Sequence, residues 1–305
     1  MATSAEVASS NDTLEWVQKD NRRFLHAIYR VIDLDRTIKY AILILVIILF
    51  YTQHFGMQLL RRSDVPKANF SNAVLGFGPE ESHFVLELIY NHGVDKLDFG
   101  TAFGHFGIAA EDVYKIVEDI RASGGVITRE PGPAEGGGST IYAFVQDPNG
   151  YSFELVQRDA PIREPLCQAL FNVVDLDRSI EFYQKALGMN LLLRYANPRE
   201  QFDIGMVGYG DDLNQTTVIE LRYNYNVTEY TQGNAYSQVV ISTDDVYKSA
   251  EAVKLVTQEL GGKIIRPPGP IPGTDTKITS FLDLDGFKTV LMDNEDFLKE
   301  LQKKE

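Results

Sequence analysis

The sequence predicts an α+β protein built from four βαβββ-like quarters, grouped into two homologous halves. Two observations carry this. The chain repeats itself in order, and polar residues recur at matching places on apolar, alternating strands. VIDLDRTI at 31–38 returns as VVDLDRSI at 173–180, and LELIYNHGV at 86–94 returns as IELRYNYNV at 219–227. EDVYK at 111–115 returns as DDVYK at 244–248, and GGVITREPGP at 124–133 as GGKIIRPPGP at 261–270. Self-similarity at this length marks duplicated units. We expect domains at 22–160 and 161–305, preceded by a flexible arm at 1–21.

The strands around the middle of the chain show the pattern. From Tyr151 to Gln157, Tyr151, Phe153 and Leu155 face one way while Ser152, Glu154 and Val156 face the other. From Leu166 to Val174, Gln168, Leu170 and Asn172 share a face. Polar residues on such strands are either solvent-facing or ligands aimed into a cavity. The helices carry their own signals. Asp175 or Asp177 opens RSIEFYQKALG, which stops at Gly188, and Asp112 opens DVYKIVEDIRASGG, which stops at Gly124 and Gly125. Their apolar positions are expected to be core, packed on the convex face of a sheet.

The halves differ in one place. The separation between copies falls from 142 residues (Val31 to Val173) to 132 (Phe55 to Leu187), which places an apolar insert at about Tyr40–Leu49. A bilayer-spanning helix needs about 20 apolar residues, so this run is too short to span. The repeat leaves the next strand no room to shift, so the insert is expected to bulge out or push its helix aside. A membrane or partner hook and a splicing accident are both open readings.

Composition limits the function. The chain has 29 basic and 43 acidic residues and a net charge of −14, without basic runs, which argues against nucleic acid or an anionic membrane surface. Its single cysteine, Cys167, excludes an internal disulfide and suits a reducing compartment, and the first twenty residues resemble neither signal nor transit peptide, so we expect a cytoplasmic protein. PGPAEGGGST at 131–140 has no Gly-Lys-Ser/Thr after it and leads into a strand, so it reads as a flexible loop over a cavity, able to act as a lid, and not as a phosphate loop.

Collected by repeat position, the first strand of each quarter carries His26, His105, Gln168 or Gln238, and the last strand Glu87, Glu154, Glu220 or Val290. Imidazole, amide and carboxylates around one point suit a borderline divalent metal with open positions. Gly107 and Ala109 share a face with His105 and leave room in front of it.

On FLHAIYRVIDLDR, LELIYNHGVDK, GHFGIAAEDVY, ITREPGP, DPNGYSFELVQR, LCQALFNVVDLDRS, GNAYSQVVISTDDVYKSAE and FLDLDGFK, the chain resembles glyoxalase I (lactoylglutathione lyase) of the two-domain plant type, in the vicinal-oxygen-chelate superfamily. The resemblance covers about residues 24–300. It implies that quarter one pairs with four and two with three, forming curved sheets around metal pockets. One pocket then has a complete set, His105, Glu154, Gln168 and Glu220. The other is degenerate, with His26, Glu87 and Gln238, Arg30 and Asn91 beside them, and Val290 in a carboxylate's place.

The implied reaction turns the methylglyoxal–glutathione hemithioacetal into S-D-lactoylglutathione. Glu154 would be the base and Glu220 its opposite partner. The implied cofactor is one divalent metal per chain, with Ni2+ favoured and Zn2+ or Co2+ possible, and glutathione is the cosubstrate. The chain would be a monomer with an internal pseudo-dimer. The family's arginine four residues after the first-strand ligand, which holds a glutathione carboxylate, is kept as Arg30 in the degenerate pocket but is Asn172 in the complete one; Asn224 matches the family's asparagine. Two other readings compete. An extradiol-type dioxygenase would want two histidines and one carboxylate on iron. The other is a weak or inactive paralogue acting as a binding protein.

Overall fold

A computed structural model of the chain describes residues 4–32, 43–65, 69–133 and 138–304. Two mixed eight-stranded sheets form the scaffold. One runs β14 (Lys263–Pro270), β15 (Lys277–Leu282), β16 (Lys288–Asp293), β13 (Tyr236–Thr243), β1 (Phe24–Val31), β4 (Val85–Asn91), β3 (Phe70–Gly76), β2 (Gln58–Val65). The other runs β10 (Asn190–Asn197), β11 (Phe202–Gly208), β12 (Val218–Asn224), β9 (Leu166–Asn172), β5 (Phe103–Ala110), β8 (Ser152–Gln157), β7 (Ile141–Gln146), β6 (Val126–Pro133). Quarter one therefore shares a sheet with four, and two with three, as expected. Each sheet is closed at its centre by an antiparallel pair from different halves, β1 with β13 and β5 with β9. No helix among the described residues is long and apolar enough to cross a membrane.

An aromatic core ties the sheets together. Phe171 of β9 stacks on Phe287, just before β16, at 4.0 Å, and Tyr29 of β1 packs on Phe106 of β5 at 5.2 Å. Such pairs add to their large buried area. Helix α3 (Val113–Ala122) takes Asp112 as its N-cap, and α4 (Leu176–Leu187) runs from an Asp175 N-cap to a left-handed Gly188, matching the caps read from the sequence. Helix α5 (Val246–Leu260) opens in the same way at Asp245.

Two stretches stand apart from the repeat. The stretch expected to be a flexible arm contains helix α1 (Ser4–Val17), which rests on α4 and α5. Val17 is buried, and Arg22 just beyond donates to the Ala186 carbonyl at 3.0 Å. Leu14, Trp16 and Val17 give this end apolar surface to dock, which outweighs the charge around it.

Part of the expected insert lies in a helix. Residues 43–49 form the first half of α2 (Leu43–His54), while residues 40–42 lie outside the described residues. The helix keeps register from its C-terminal end. Tyr51 Oη donates to Asp147 at 2.7 Å, as Tyr183 donates to Asp283 at 2.7 Å in the second half. That anchor places Ile47 and Ile48 in the core and leaves Val46 and Leu49, 44% and 39% exposed, where α4 presents Arg178 and Glu181. Val46→Arg with Leu49→Glu should leave the melting temperature nearly unchanged in a thermal-unfolding scan. A large fall in melting temperature would mean that this face is packed in solution.

The twin Asp–Tyr anchors are buried, and burial raises both acids, Asp147 to about 6 and Asp283 to about 7, against the hydrogen bonds they accept. A carboxyl raised on folding makes the folded chain hold more protons than the unfolded one between its two pKa values. Asp283 therefore makes stability fall as pH rises from about 4 to about 7. Asp283→Asn cannot titrate, so its melting temperature should fall less across that window than the wild type's. Parallel curves would show that Asp283 does not carry the effect.

Candidate metal centre and cleft

Strand alternation delivers the side chains of the complete set to one face. His105 lies on β5, Glu154 on β8, Gln168 on β9 and Glu220 on β12, four adjacent strands of one sheet. His105, Gln168 and Glu220 are buried, and Glu154 is half-buried. His105 Nε2 is 3.1 Å from Glu154 Oε2 and 3.1 Å from Gln168 Nε2. The Gln168 amide also donates to Glu154 and, at 3.2 Å, to Glu220 Oε2. The edge of Phe144 faces the His105 ring at 5.1 Å. Burial, and then the neighbouring Glu154 charge, push the Glu220 carboxyl up.

Gly107 makes this convergence possible. It pairs with Gln168 across β5 and β9, and a Cβ there would lie 2.1 Å from Gln168 Cγ. The room that Gly107 leaves in front of His105 is filled by Gln168.

The donor set fits a divalent ion. Donor atoms of His105, Glu154 and Glu220 lie within 4.8 Å of one another, the one such group of His, Cys, Asp and Glu among the described residues. Two carboxylates withdrawn from water beside a neutral amide want a compensating cation. The amide turned about its last bond brings its oxygen to the place its nitrogen holds.

The glyoxalase/bleomycin resistance protein/dioxygenase superfamily matches residues 23–155 and again 166–291. The chain belongs to this superfamily. It is 61% identical over 304 residues to the lactoylglutathione lyase of Oryza sativa subsp. japonica, which covers 99% of this chain and all of that one. It is 60% identical over 296 residues to a lactoylglutathione lyase of Arabidopsis thaliana, covering 97% of this chain and all of that one. The crystal structure of glyoxalase I from Zea mays superposes with a TM-score of 0.88 at 60% identity, covering 95% of this chain and 98% of that one. A family built on duplicated βαβββ units explains why two quarters each give a pair of ligand strands to one pocket.

The second pocket of this glyoxalase-family chain is not a weakened copy of the first. His26 of β1 and Glu87 of β4 face each other at 3.5 Å, and Glu80, from the turn before β4, places Oε2 3.1 Å from His26 Nε2. Arg61 of β2 grips Glu80 at 2.7 and 3.2 Å, and Asn72 donates to Glu87 at 2.7 Å. Burial opposes charge on His26, but Glu80 and Glu87 outweigh it and raise its pKa; the same contact pulls Glu87 down to about 2. Val290 is buried with Ile28, Val240 and Phe297, and Phe297, from the C-terminal helix α6 (Asn294–Lys304), lies against His26 at 5.4 Å. Gln238 is half-buried on β13 beside Ile28. Arg30 turns away to the Asn234 carbonyl at 2.7 Å, and Asn91 ends β4. The sequence reading missed Glu80, Arg61 and Phe297. They lie on a turn, an edge strand and a terminal helix, positions for which the strand repeat gives no signal.

A cleft of about 900 Å3 opens over the complete set. Its walls include Tyr142, Phe144, Tyr195, Phe202 and the arginines 129, 158 and 222. Gly138 and Thr140 line it too; residues 134–137 of the expected lid loop lie outside the described residues. Asn172 and Asn224 follow Gln168 and Glu220 by four residues on β9 and β12, on the same strand faces. Asn224 Nδ2 donates to Asn172 Oδ1 and to Tyr230, at 3.0 and 2.9 Å, and Asn172 Nδ2 to the Thr101 carbonyl at 3.0 Å. The period of two in Glu220-Leu221-Arg222-Tyr223-Asn224 is a sequence signal that would have placed Arg222 on the cleft face.

Gly107→Ala should displace Gln168 and cost about 1–3 kcal/mol through overpacking. Denaturant unfolding and titration with a divalent metal should show lower stability and weaker binding together. Unchanged metal affinity would separate Gln168 from the centre.

Proposed function

We propose that the β5–β9 seam is the working centre of this lactoylglutathione lyase, acting on the hemithioacetal of methylglyoxal and glutathione with one divalent metal per chain. The reading is carried by a single observation: two carboxylates, the half-buried Glu154 and the buried Glu220, converge with His105 and Gln168 at the floor of the large cleft. His105, Glu154, Gln168 and Glu220 would hold the ion, Ni2+ in first place and Zn2+ or Co2+ as alternatives. When bound, the ion supplies Lewis-acid stabilisation to vicinal oxygens of the substrate.

The isomerisation moves one proton from the sulfur-bearing carbon to the neighbouring carbon and the hydroxyl proton of the first carbon to the oxygen of the second, which leaves a thioester beside a new hydroxyl. It needs carboxylates close to both carbons. Glu154, the less buried of the two, is the base that takes the carbon-bound proton, and Glu220 faces it across the centre. Phe144 and the floor of the cleft exclude water from the proton in transit. Without the ion, the Gln168 amide donates to both carboxylates and holds them close together. One His and one Gln beside two carboxylates do not match the two-His, one-carboxylate set of an iron dioxygenase.

Among the second-site residues, His26 is held by Glu80 and Glu87 in place of a metal. The active unit is then a monomer that carries its pseudo-dimer within one chain. The aqueous, reducing setting of the cytoplasm suits a chain whose one cysteine is free and buried.

Glu154→Gln should lower kcat by at least about 10²–10⁴-fold, the range of a general base alone. Glu87→Gln should leave kcat within a few-fold of the wild type. Metal content measured on the same samples should be near one per chain for both the wild type and Glu87→Gln. A dead Glu87→Gln with an active Glu154→Gln would move the catalytic centre to the other sheet.

A further inference from the structure

The two halves place a guanidinium on opposite members of the same strand pair. In β1 and β4, Arg30 lies in register with Ile89. In β9 and β12, Asn172 lies in register with Arg222. Each pair has one arginine and one uncharged residue, but the charge has crossed from the first strand to the last. Only the second pair belongs to the sheet that forms the cleft, and Arg222 lines that cleft.

The three arginines of the wall are not equivalent. Arg129 is committed to the carbonyls of Gly132, Pro133 and Tyr142 and lies on the Tyr142 ring at 3.5 Å. Arg158 donates to the Asn214 carbonyl at 3.2 Å. Arg222 is fixed at its inner edge and open at its tip. Its Nε donates to Asn224 Oδ1 at 3.0 Å, and its guanidinium lies on the Phe202 ring at 4.0 Å. Among the described residues neither Nη atom has a hydrogen-bond or ion-pair partner. The bonds run on from Asn224 to Asn172 and from Asn172 to the Thr101 carbonyl. Two asparagine amides thus orient one guanidinium, whose planar pair of donors matches a carboxylate. On β12 it is two residues from Glu220, on the same face.

The geometry points to Arg222 as the residue that holds a carboxylate of the glutathione moiety, in place of the arginine that position 172 lacks. Asn224 and Asn172 are positioning residues behind it. This rests on the lactoylglutathione lyase reading of the cleft, so the experiment first requires wild-type turnover of the methylglyoxal–glutathione hemithioacetal. Without that turnover the functional reading fails before the role of Arg222 is reached.

In the full-length, metal-loaded enzyme, Arg222→Met should raise KM for the hemithioacetal about ten- to hundredfold, the range for losing a charge-assisted bond, with kcat changed far less. With the hemithioacetal of glutathione diethyl ester, which has no free carboxylate, wild type and Arg222→Met should have the same KM. Asn224→Ala should raise KM by a smaller factor and, like Arg222→Met, only for the free acid. Asn172→Arg combined with Arg222→Met returns the charge to the neighbouring strand and should recover much of the lost affinity. Asn172→Arg alone sets two guanidiniums side by side and should bring little gain. Metal content and melting temperature of each variant check that the centre and fold are intact. Three results would each overturn the assignment: an unchanged KM in Arg222→Met, an equal rise for free and esterified substrate, or a loss confined to kcat.

Discussion

The antiparallel contact between β5 and β9 is the constraint on which the rest depends. It joins the first strand of the second quarter to the first strand of the third, and it is tight enough that residue 107 has no room for a side chain. Through it Gln168 reaches His105 and both carboxylates. The parallel neighbours β8 and β12 then bring Glu154 and Glu220 from either side. Burial of two like charges at one point is unfavourable unless something neutralises them. The amide does this in part and a divalent ion would do so fully.

The equivalent contact between β1 and β13 has gone another way. With Val290 in the fourth position, an apolar cluster closes around it and the C-terminal helix covers the histidine. The remaining charges are balanced from within the chain by Arg61 and Glu80. The two pockets thus share strand geometry but solve opposite problems. One keeps negative charge that a cation and substrate can use, and the other pairs its charges permanently.

Helix α2 shows the same economy of means. Its C-terminal half is pinned by Tyr51 to the Asp147 turn, so the register of Phe50 and Tyr51 matches that of Phe182 and Tyr183. The apolar run upstream supplies Ile47 and Ile48 to the core and turns Val46 and Leu49 outwards. What the repeat treats as an insertion becomes, at residues 43–49, the helix itself.

The repeat, the four-quarter organisation, the caps at Asp112, Asp175 and Gly188, and the matching strand positions of His105, Glu154, Gln168 and Glu220 were legible in the sequence. All of these follow from local periodicity or from matching positions in duplicated strands, which a linear comparison preserves. The tertiary structure alone decided the rest. It brought Glu80, Arg61 and Phe297 onto His26, placed residues 43–49 in a helix and docked α1 on α4 and α5. It also showed that Asn224 bonds to both Asn172 and Arg222. Which partner a polar side chain finds depends on contacts between strands and turns far apart in the chain. A repeat fixes which strand a residue is on; the packed sheet fixes what stands beside it.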